Sequence, residues 1–194
     1  MTAFPFSGAI LAGGRSSRMG RDKAFIEIDG VTLVARQAAG LRAAGAQELL
    51  ISGRPEIDYA VADARVVTDT IKDGGPLAGL SALLKAARTS WVLVLAVDLP
   101  HISAEALNLL LSTGGGRLGA VPKTAHGYEP LIALYPTSFV SLLDEALARN
   151  QLSLQPLLER AEAKKILQPI PHSMFAQSTF ANWNTPDHIT GKSP

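Results

Sequence analysis

The chain has 194 residues, of which 47% are hydrophobic and 18% charged, so it is long enough for one domain with a sizeable core and is not disordered by composition. Lysine and arginine total 18 against 17 aspartates and glutamates, and this balance excludes a broad electropositive surface for nucleic acid. The lack of cysteine excludes disulfides, thiolate metal sites and cysteine nucleophiles. Without a basic leader or a run of roughly 20 apolar residues, we expect one soluble, cytoplasmic domain over residues 1–194.

Apolar runs and helical patterns alternate along the N-terminal half. Strands are predicted at Gly8–Leu11, Glu48–Ser52 and Val66–Thr68, with a helix over Leu33–Ala44 and another opened by Gly74-Gly75-Pro76. The run Trp91–Val97 is apolar without alternation, which is typical of a central parallel strand covered by helices on both faces. Ser103 is predicted to cap the next helix.

The alternation continues in the C-terminal half. Further strands are predicted at Gly119–Pro122, Pro130–Tyr135, Ile166–Ile170 and Phe180-Ala181, with helices near Ser138–Ala148 and from Thr185-Pro186. This order predicts an α/β fold, a Rossmann-like three-layer sandwich with a mainly parallel central sheet. Because ligands of such sheets bind outside the carboxyl ends of the strands, the polar residues after the first, third and fourth strands should be neighbours.

The first strand runs into a glycine loop with basic side chains, which reads LAGGRSSRMGRDK from Leu11 to Lys23. Glycines let backbone N–H groups turn toward an anion, and arginine and lysine supply full charges, so the loop predicts a phosphate site. It matches neither the Walker A pattern nor the dinucleotide fingerprint. The alternative is a tight turn with solvated basic residues.

Carboxylates follow two other strands. Asp98 closes the apolar run and is predicted to bind Mg²⁺, which takes oxygen ligands and commonly one or two carboxylates. The alternative is that Asp98 caps a turn before Pro100. Asp69 precedes a glycine-rich segment and suits hydrogen bonds to a base or ribose, or equally a turn. The histidines lack metal-ligand spacing and no G-x-S-x-G elbow occurs, so we expect neither histidine nor serine catalysis.

These motifs, in this order, resemble those of the molybdenum cofactor guanylyltransferases, within the nucleotidyltransferases of the nucleotide-diphospho-sugar transferase type. The resemblance spans nearly the whole chain, and its most specific part is the segment from Leu11 to Lys23. The other matching segments are Gly75–Gly79, Asp98–Pro100, Glu129-Pro130 and Asn182–Pro186.

The resemblance implies transfer of GMP from GTP to the molybdopterin cofactor with release of pyrophosphate and with Mg²⁺ as the metal. It implies a nucleotide site in the N-terminal half and an acceptor site in the C-terminal half. The implied nucleotide-binding residues are Leu11, Ala12, Gly13, Gly14, Lys23, Asp69 and Asp98. The implied catalytic residues are Lys23, Asp98 and Arg18, with Asp98 also the metal ligand, and the implied acceptor-side residues are Gly75, Gly79, Asn182 and Asn184. Transient contact with cofactor-synthesis or molybdoenzyme-maturation proteins is also expected, without nucleic acid or membrane partners.

Two positions bear on the donor nucleotide. The similar cytidylyltransferases tend to have alanine where this chain has Gly13, and the smaller residue favours a purine, although one methyl group discriminates by only about 1–3 kcal/mol. Relatives often carry a nucleotide-contacting asparagine where this chain has Gly53, which leaves only a backbone contact open there. A cytidylyl- or sugar-phosphate nucleotidyltransferase is therefore the alternative, and a non-catalytic nucleotide-binding module is disfavoured because it would not need Lys23 and Asp98.

Overall fold

The computed structural model describes residues 4–12, 22–68, 71 and 74–180. Its strands are β1 (Ser7–Leu11), β2 (Glu27–Ile28), β3 (Val31–Thr32), β4 (Leu49–Ser52), β5 (Ala64–Val67), β6 (Trp91–Ala96), β7 (Gly119–Thr124), β8 (Gly127–Tyr128), β9 (Ile132–Pro136) and β10 (Leu167–Pro171). Its α-helices are α1 (Leu33–Ala43), α2 (Gly75–Ala86), α3 (Ala104–Thr113), α4 (Val140–Ala148) and α5 (Leu154–Ala163).

The described strands form a central sheet in the order β10-β7-β9-β6-β1-β4-β5, with β8 paired to β7 and a separate β2–β3 hairpin. Strand β1 pairs in parallel with both β4 and β6, β4 with β5, and β10 with β7. Strand β9 runs antiparallel to its neighbours β6 and β7. The predicted α/β fold with a mainly parallel sheet is confirmed.

Helices cover both faces of the sheet, which makes three layers. On one face, Ile10, Leu93 and Leu95 belong to the same buried cluster as the apolar residues of α1 and α3. On the other face, Val92 and Val94 pack in a second cluster with the apolar residues of α2, α4 and α5. Successive strand residues alternate between the two clusters, so the central strands need apolar residues at every position. This explains the uninterrupted apolar runs of the sequence.

A partly buried polar network lies at the edge of the sheet at which β1 begins. The Glu48 carboxylate accepts from the Ser7 hydroxyl at 2.7 Å, from the Arg88 backbone N–H at 2.6 Å and from the Arg65 guanidinium at 2.8 Å. Burial acts to raise the pKa of Glu48, but these hydrogen bonds outweigh it and hold the pKa below its usual value. The polar groups at this amino-terminal edge therefore bond to one another. The predicted site residues lie at the opposite, carboxyl edge.

The predicted elements agree with the structure except in detail. Ser103 caps α3, because its Oγ accepts from the Ala106 backbone N–H at 3.3 Å. The predicted strand at Phe180-Ala181 is wrong at Phe180, which ends a 3-10 turn over Gln177–Phe180. Ala181 and the helix predicted from Thr185-Pro186 lie outside the described residues. Within the described residues, no helix combines the length and apolar character that crossing a bilayer requires.

Helix α5 and the short strands β2, β3 and β8 were not predicted. In α5 the buried residues Leu154, Leu157, Leu158 and Ala161 recur at helical spacing, so a signal was present in the sequence. The short strands have only two residues each, which is below the length at which alternation can be read.

Candidate active site

The carboxyl ends of β1, β4 and β6 lie side by side. In register, Leu11 pairs with Ser52 of β4 and with Ala96 of β6. The backbone continues this pairing past the strands, because the Ala12 N–H donates to the Ser52 carbonyl and the Val97 N–H donates to the Leu11 carbonyl, both at 3.1 Å. The chain that leaves β1 toward the glycine loop therefore starts beside the chain that leads to Asp98.

Lys23 and Asp98 meet at this edge. The Lys23 Nζ lies 2.9 Å from Oδ2 of Asp98, and the two side chains are 23% and 24% exposed, so the pair is partly shielded but reachable from solvent. Lys23 begins a 3-10 turn over Lys23–Phe25, and the Asp22 carboxylate caps that turn by accepting from the Ala24 N–H at 3.1 Å. The structure thus brings together the basic end of the glycine segment and the carboxylate after β6.

Gln37 fixes the loop that carries Asp98. It lies buried on α1, and its Nε2 donates to the Leu99 carbonyl at 2.7 Å. A buried polar side chain among the apolar residues of a helix needs such a partner. Gln37 was not predicted to matter. Its signal in the sequence is a glutamine at an apolar helix position, and its partner Leu99 is distant in the chain.

Leu11 and Ala12, the predicted nucleotide neighbours, are both buried. Gly79 is a close-packing position, since an added Cβ would lie 2.8 Å from Oγ of Ser52 and 2.9 Å from Cδ2 of Leu11. Gly75 begins α2 with a φ of +59° and open space around it, so glycine is favoured there by conformation. Gly79 lets the amino end of α2 pack closely against the carboxyl ends of β1 and β4, while the contact of either glycine with the acceptor stays a prediction.

Several predicted site residues lie outside the described part of the chain. They are Gly13, Gly14, Arg18, Asp69, Asn182 and Asn184. Their assignment therefore stays a prediction from the sequence and the resemblance.

Tyr59 occupies the space that a side chain at position 53 would need. A Cβ at Gly53 would lie 2.2 Å from the Tyr59 hydroxyl oxygen and 2.6 Å from Cζ, so only glycine fits beside this ring. The hydroxyl accepts from the Arg54 backbone N–H at 3.1 Å, and Tyr59 is only 4% exposed. Burial raises the pKa of Tyr59, with the Arg54 N–H opposing, so the ring stays a neutral phenol.

The same loop is tied to the turn that carries Lys23. Phe25 stacks on Tyr59 with ring centroids 5.8 Å apart, and an Arg54 guanidinium nitrogen lies 3.1 Å from Oδ2 of Asp22. The loop after β4 therefore contacts the turn that carries Lys23 at two points. The sequence alone leaves a backbone contact of Gly53 with the nucleotide possible and gives no signal for Tyr59. The contact between the two residues depends on a loop conformation that local pattern does not encode.

A divalent metal fits this site only if a bound substrate supplies further oxygen ligands. Within the described ranges, no three His, Asp or Glu side chains are grouped to hold a metal ion. Asp98 offers one carboxylate at a partly exposed position. One carboxylate with substrate phosphates and water is a usual Mg²⁺ ligand set, so the donor chemistry suits Mg²⁺ bound together with a triphosphate.

Comparison with known proteins shows the family. The MobA-like NTP transferase domain matches residues 8–166. A probable molybdenum cofactor guanylyltransferase of Opitutus terrae is 38% identical over 95% of this chain and 93% of its own, and the molybdenum cofactor guanylyltransferase of Serratia proteamaculans is 32% identical over 96% and 98%. The crystal structure of molybdopterin-guanine dinucleotide biosynthesis protein A from Archaeoglobus fulgidus superposes with a TM-score of 0.74 at 25% identity, covering 94% of each chain. This chain therefore belongs to the MobA-like NTP transferase family of nucleotidyltransferases, together with the molybdenum cofactor guanylyltransferases.

Proposed function

We propose that this chain transfers GMP from GTP to the molybdopterin cofactor and releases pyrophosphate. The observation that carries the proposal is the 2.9 Å pair of Lys23 and Asp98 at the carboxyl edge of the sheet, in a chain whose relatives are named for this activity. An ammonium and a carboxylate of the type that suits Mg²⁺ thus lie together at the end of the sheet where α/β proteins bind nucleotides. The relatives' names supply the base and the acceptor.

The reaction needs no covalent enzyme intermediate. A phosphate oxygen of the acceptor attacks the α-phosphorus of GTP, a new P–O bond forms, and the bond from the α-phosphorus to the bridging oxygen breaks as pyrophosphate leaves in line. Lys23 holds triphosphate oxygens and stabilises the charge that builds on the leaving group. Positioning by the Asp22-capped turn and the loop after β4 keeps the ammonium in place before the substrate binds.

Mg²⁺ belongs to this proposal as the metal that Asp98 and the triphosphate would hold, where it supplies charge neutralisation. The nucleotide occupies the ends of β1, β4 and β6, with Leu11, Ala12, Gly13, Gly14 and Asp69 around it, and Arg18 assists Lys23. The acceptor lies mainly against the C-terminal half, with Asn182 and Asn184 on its side, and with Gly75 and Gly79 at the amino end of α2. Cytoplasmic location and contacts with cofactor-handling proteins stay predictions.

Substitutions of the pair test the proposal. We expect Lys23→Ala and Asp98→Asn to remain folded and to lose roughly 10²–10³-fold in turnover, because each removes one fixed group that stabilises developing charge. Lys85→Ala is the matched control. Lys85 makes a similar ion pair with Asp144 at 2.7 Å, but it lies in the last turn of α2, away from the carboxyl edge at which that helix begins. Near-normal turnover in Lys23→Ala or Asp98→Asn would contradict the proposal.

The donor base is tested separately by thermal unfolding with GTP, CTP, ATP or UTP in the presence of Mg²⁺. A ligand at 100 times its dissociation constant adds about 2.7 kcal/mol, which corresponds to a rise of roughly 5–11 °C for a chain of this size. We expect the largest rise with GTP. A larger rise with CTP would redirect the proposal to a cytidylyltransferase.

A further inference from the structure

Glu129 lies at the carboxyl edge of the sheet, on the acceptor side of Asp98. Strand β9 runs opposite to its neighbours, so it begins where β6 and β7 end. The Glu129 N–H donates to the Pro122 carbonyl of β7 at 2.9 Å, and the Ala96 N–H of β6 donates to the Leu131 carbonyl at 2.7 Å. These two bonds hold the segment that contains Glu129 between the ends of β7 and β6.

The strand order separates Glu129 from the part of the proposed nucleotide site that lies at β4. Strand β4, which borders the loop with Gly53 and Tyr59, lies three places away from β9 in the sheet. At about 4.8 Å per strand, the two positions are roughly 14 Å apart along the edge. Glu129 is therefore placed to meet the acceptor and not the base of the nucleotide.

The Glu129 carboxylate is partly buried. No described side chain or backbone N–H hydrogen-bonds to it, whereas the lowered-pKa carboxylates Glu48, Asp144 and Glu162 all accept hydrogen bonds. Burial raises the pKa of Glu129, and the charge of His172 opposes this only in part. Its oxygens are not among the fully buried atoms that lack a partner, so water can reach them, and a ligand that brings N–H groups could take the place of that water.

Flat rings stand on the same side of the site. His172 follows the end of β10, which pairs with β7, and its ring lies 4.6 Å from that of Phe180. Phe180 in turn contacts Phe175 edge-on at 5.2 Å. His172, whose charge acts on Glu129, thus brings an aromatic ring to this side of the site, which suits a flat heterocycle.

We infer that Glu129 binds the pterin ring of the acceptor by accepting hydrogen bonds from its 2-amino-4-oxo edge. That edge presents a ring N–H and an amino N–H side by side, and a carboxylate can accept both at once through its two oxygens. The inference rests on the proposed function and deepens it, because it names the residue that selects the acceptor's ring. Glu129 is a binding residue in this scheme and takes no part in bond making.

The test is Glu129→Gln, which keeps the shape and removes the charge and one acceptor. We expect the KM for molybdopterin to rise about 10- to 100-fold, with the KM for GTP unchanged. We also expect no fall in the melting temperature, because a partly buried charge is replaced by a neutral group. Glu159→Gln, at an exposed position of α5, is the matched control and should alter none of these values.

A pair of competing ligands sharpens the assignment. Pterin carries the 2-amino-4-oxo edge, and lumazine carries oxygen in place of the amino group. The wild-type protein should be inhibited more strongly by pterin, and Glu129→Gln should lose that preference, since a site built to accept an N–H rejects the analogue that lacks it.

The outcomes separate the two proposals. A wild-type protein that forms no dinucleotide from GTP and molybdopterin would overturn the proposed function and this inference with it. A wild type that turns over, combined with a Glu129→Gln variant whose acceptor KM and pterin preference are unchanged, would overturn the inference alone. A variant that melts earlier and shifts both KM values together would show a structural role for Glu129 and would also overturn it.

Discussion

Gly53→Ala should destabilise the protein because Tyr59 already occupies the space that a side chain needs. The new methyl carbon would lie 2.2 Å from the Tyr59 hydroxyl oxygen, 2.6 Å from Cζ and 2.9 Å from Cε2. The backbone of Gly53 is held at the same time, since its N–H donates to the Val67 carbonyl at 3.1 Å. The clash can be relieved only by moving a buried aromatic ring that also stacks on Phe25.

Overpacking of this kind costs about 1–3 kcal/mol. Displacement of the ring would also remove the acceptor of the Arg54 N–H, but Arg54 is exposed and water can replace the bond, so we add little for it. For a chain of this size, each kcal/mol lowers the melting temperature by about 2–4 °C, so the expected loss is roughly 2–12 °C. Tyr59→Leu removes the hydroxyl and the ring, and in that background the added methyl group should cost much less.

The measurement is thermal and urea unfolding of Gly53→Ala, Tyr59→Leu and the double variant. Gly116→Ala is the control, because a Cβ there meets nothing within 4 Å and its backbone is not in the left-handed region. A Gly53→Ala variant as stable as Gly116→Ala, or a double variant in which the two losses simply add, would refute the proposed clash.

Three other perturbations have expected outcomes. Ser103→Ala should cost about 1 kcal/mol in urea unfolding, because α3 loses its side-chain cap, and no change would contradict the capping bond. Gln37→Leu should lower stability by about 1–3 kcal/mol and also lower turnover, since the Leu99 carbonyl beside Asp98 loses its donor, and an unaltered protein would show that the bond is not needed. Glu48→Gln tests pH dependence. Its folded-state pKa is lowered, so its stabilisation is present above the ordinary value of 4.5 and is lost as pH falls through the folded value. The unfolding free energies of wild type and variant should therefore converge in acid and separate toward neutral pH, and parallel curves would exclude this role.

Local sequence pattern was sufficient to predict the layers of the fold and the proximity of Lys23 to Asp98. Uninterrupted apolar runs mark strands covered on both faces, and parallel neighbours end at one edge, so groups that follow those strands must converge. The same reasoning fails at Phe180: the apolar pair Phe180-Ala181 predicts a strand, whereas Phe180 ends a 3-10 turn and packs against aromatic neighbours. Helix α5 could have been predicted from the sequence, since its buried residues recur with helical period.

Contacts between distant residues settled what pattern could not. Gly53 is small because Tyr59 folds back over it, the Asp98 loop is held by a glutamine from α1, and Glu129 reaches the edge because β9 runs against its neighbours. None of these follows from periodicity, which reports which face of an element is buried but not which side chain lies opposite. The amino-acid order thus specifies the elements and the ends of the strands, while the packing of loops across those ends specifies the walls of the site, because loop conformation depends on the whole of the surrounding fold.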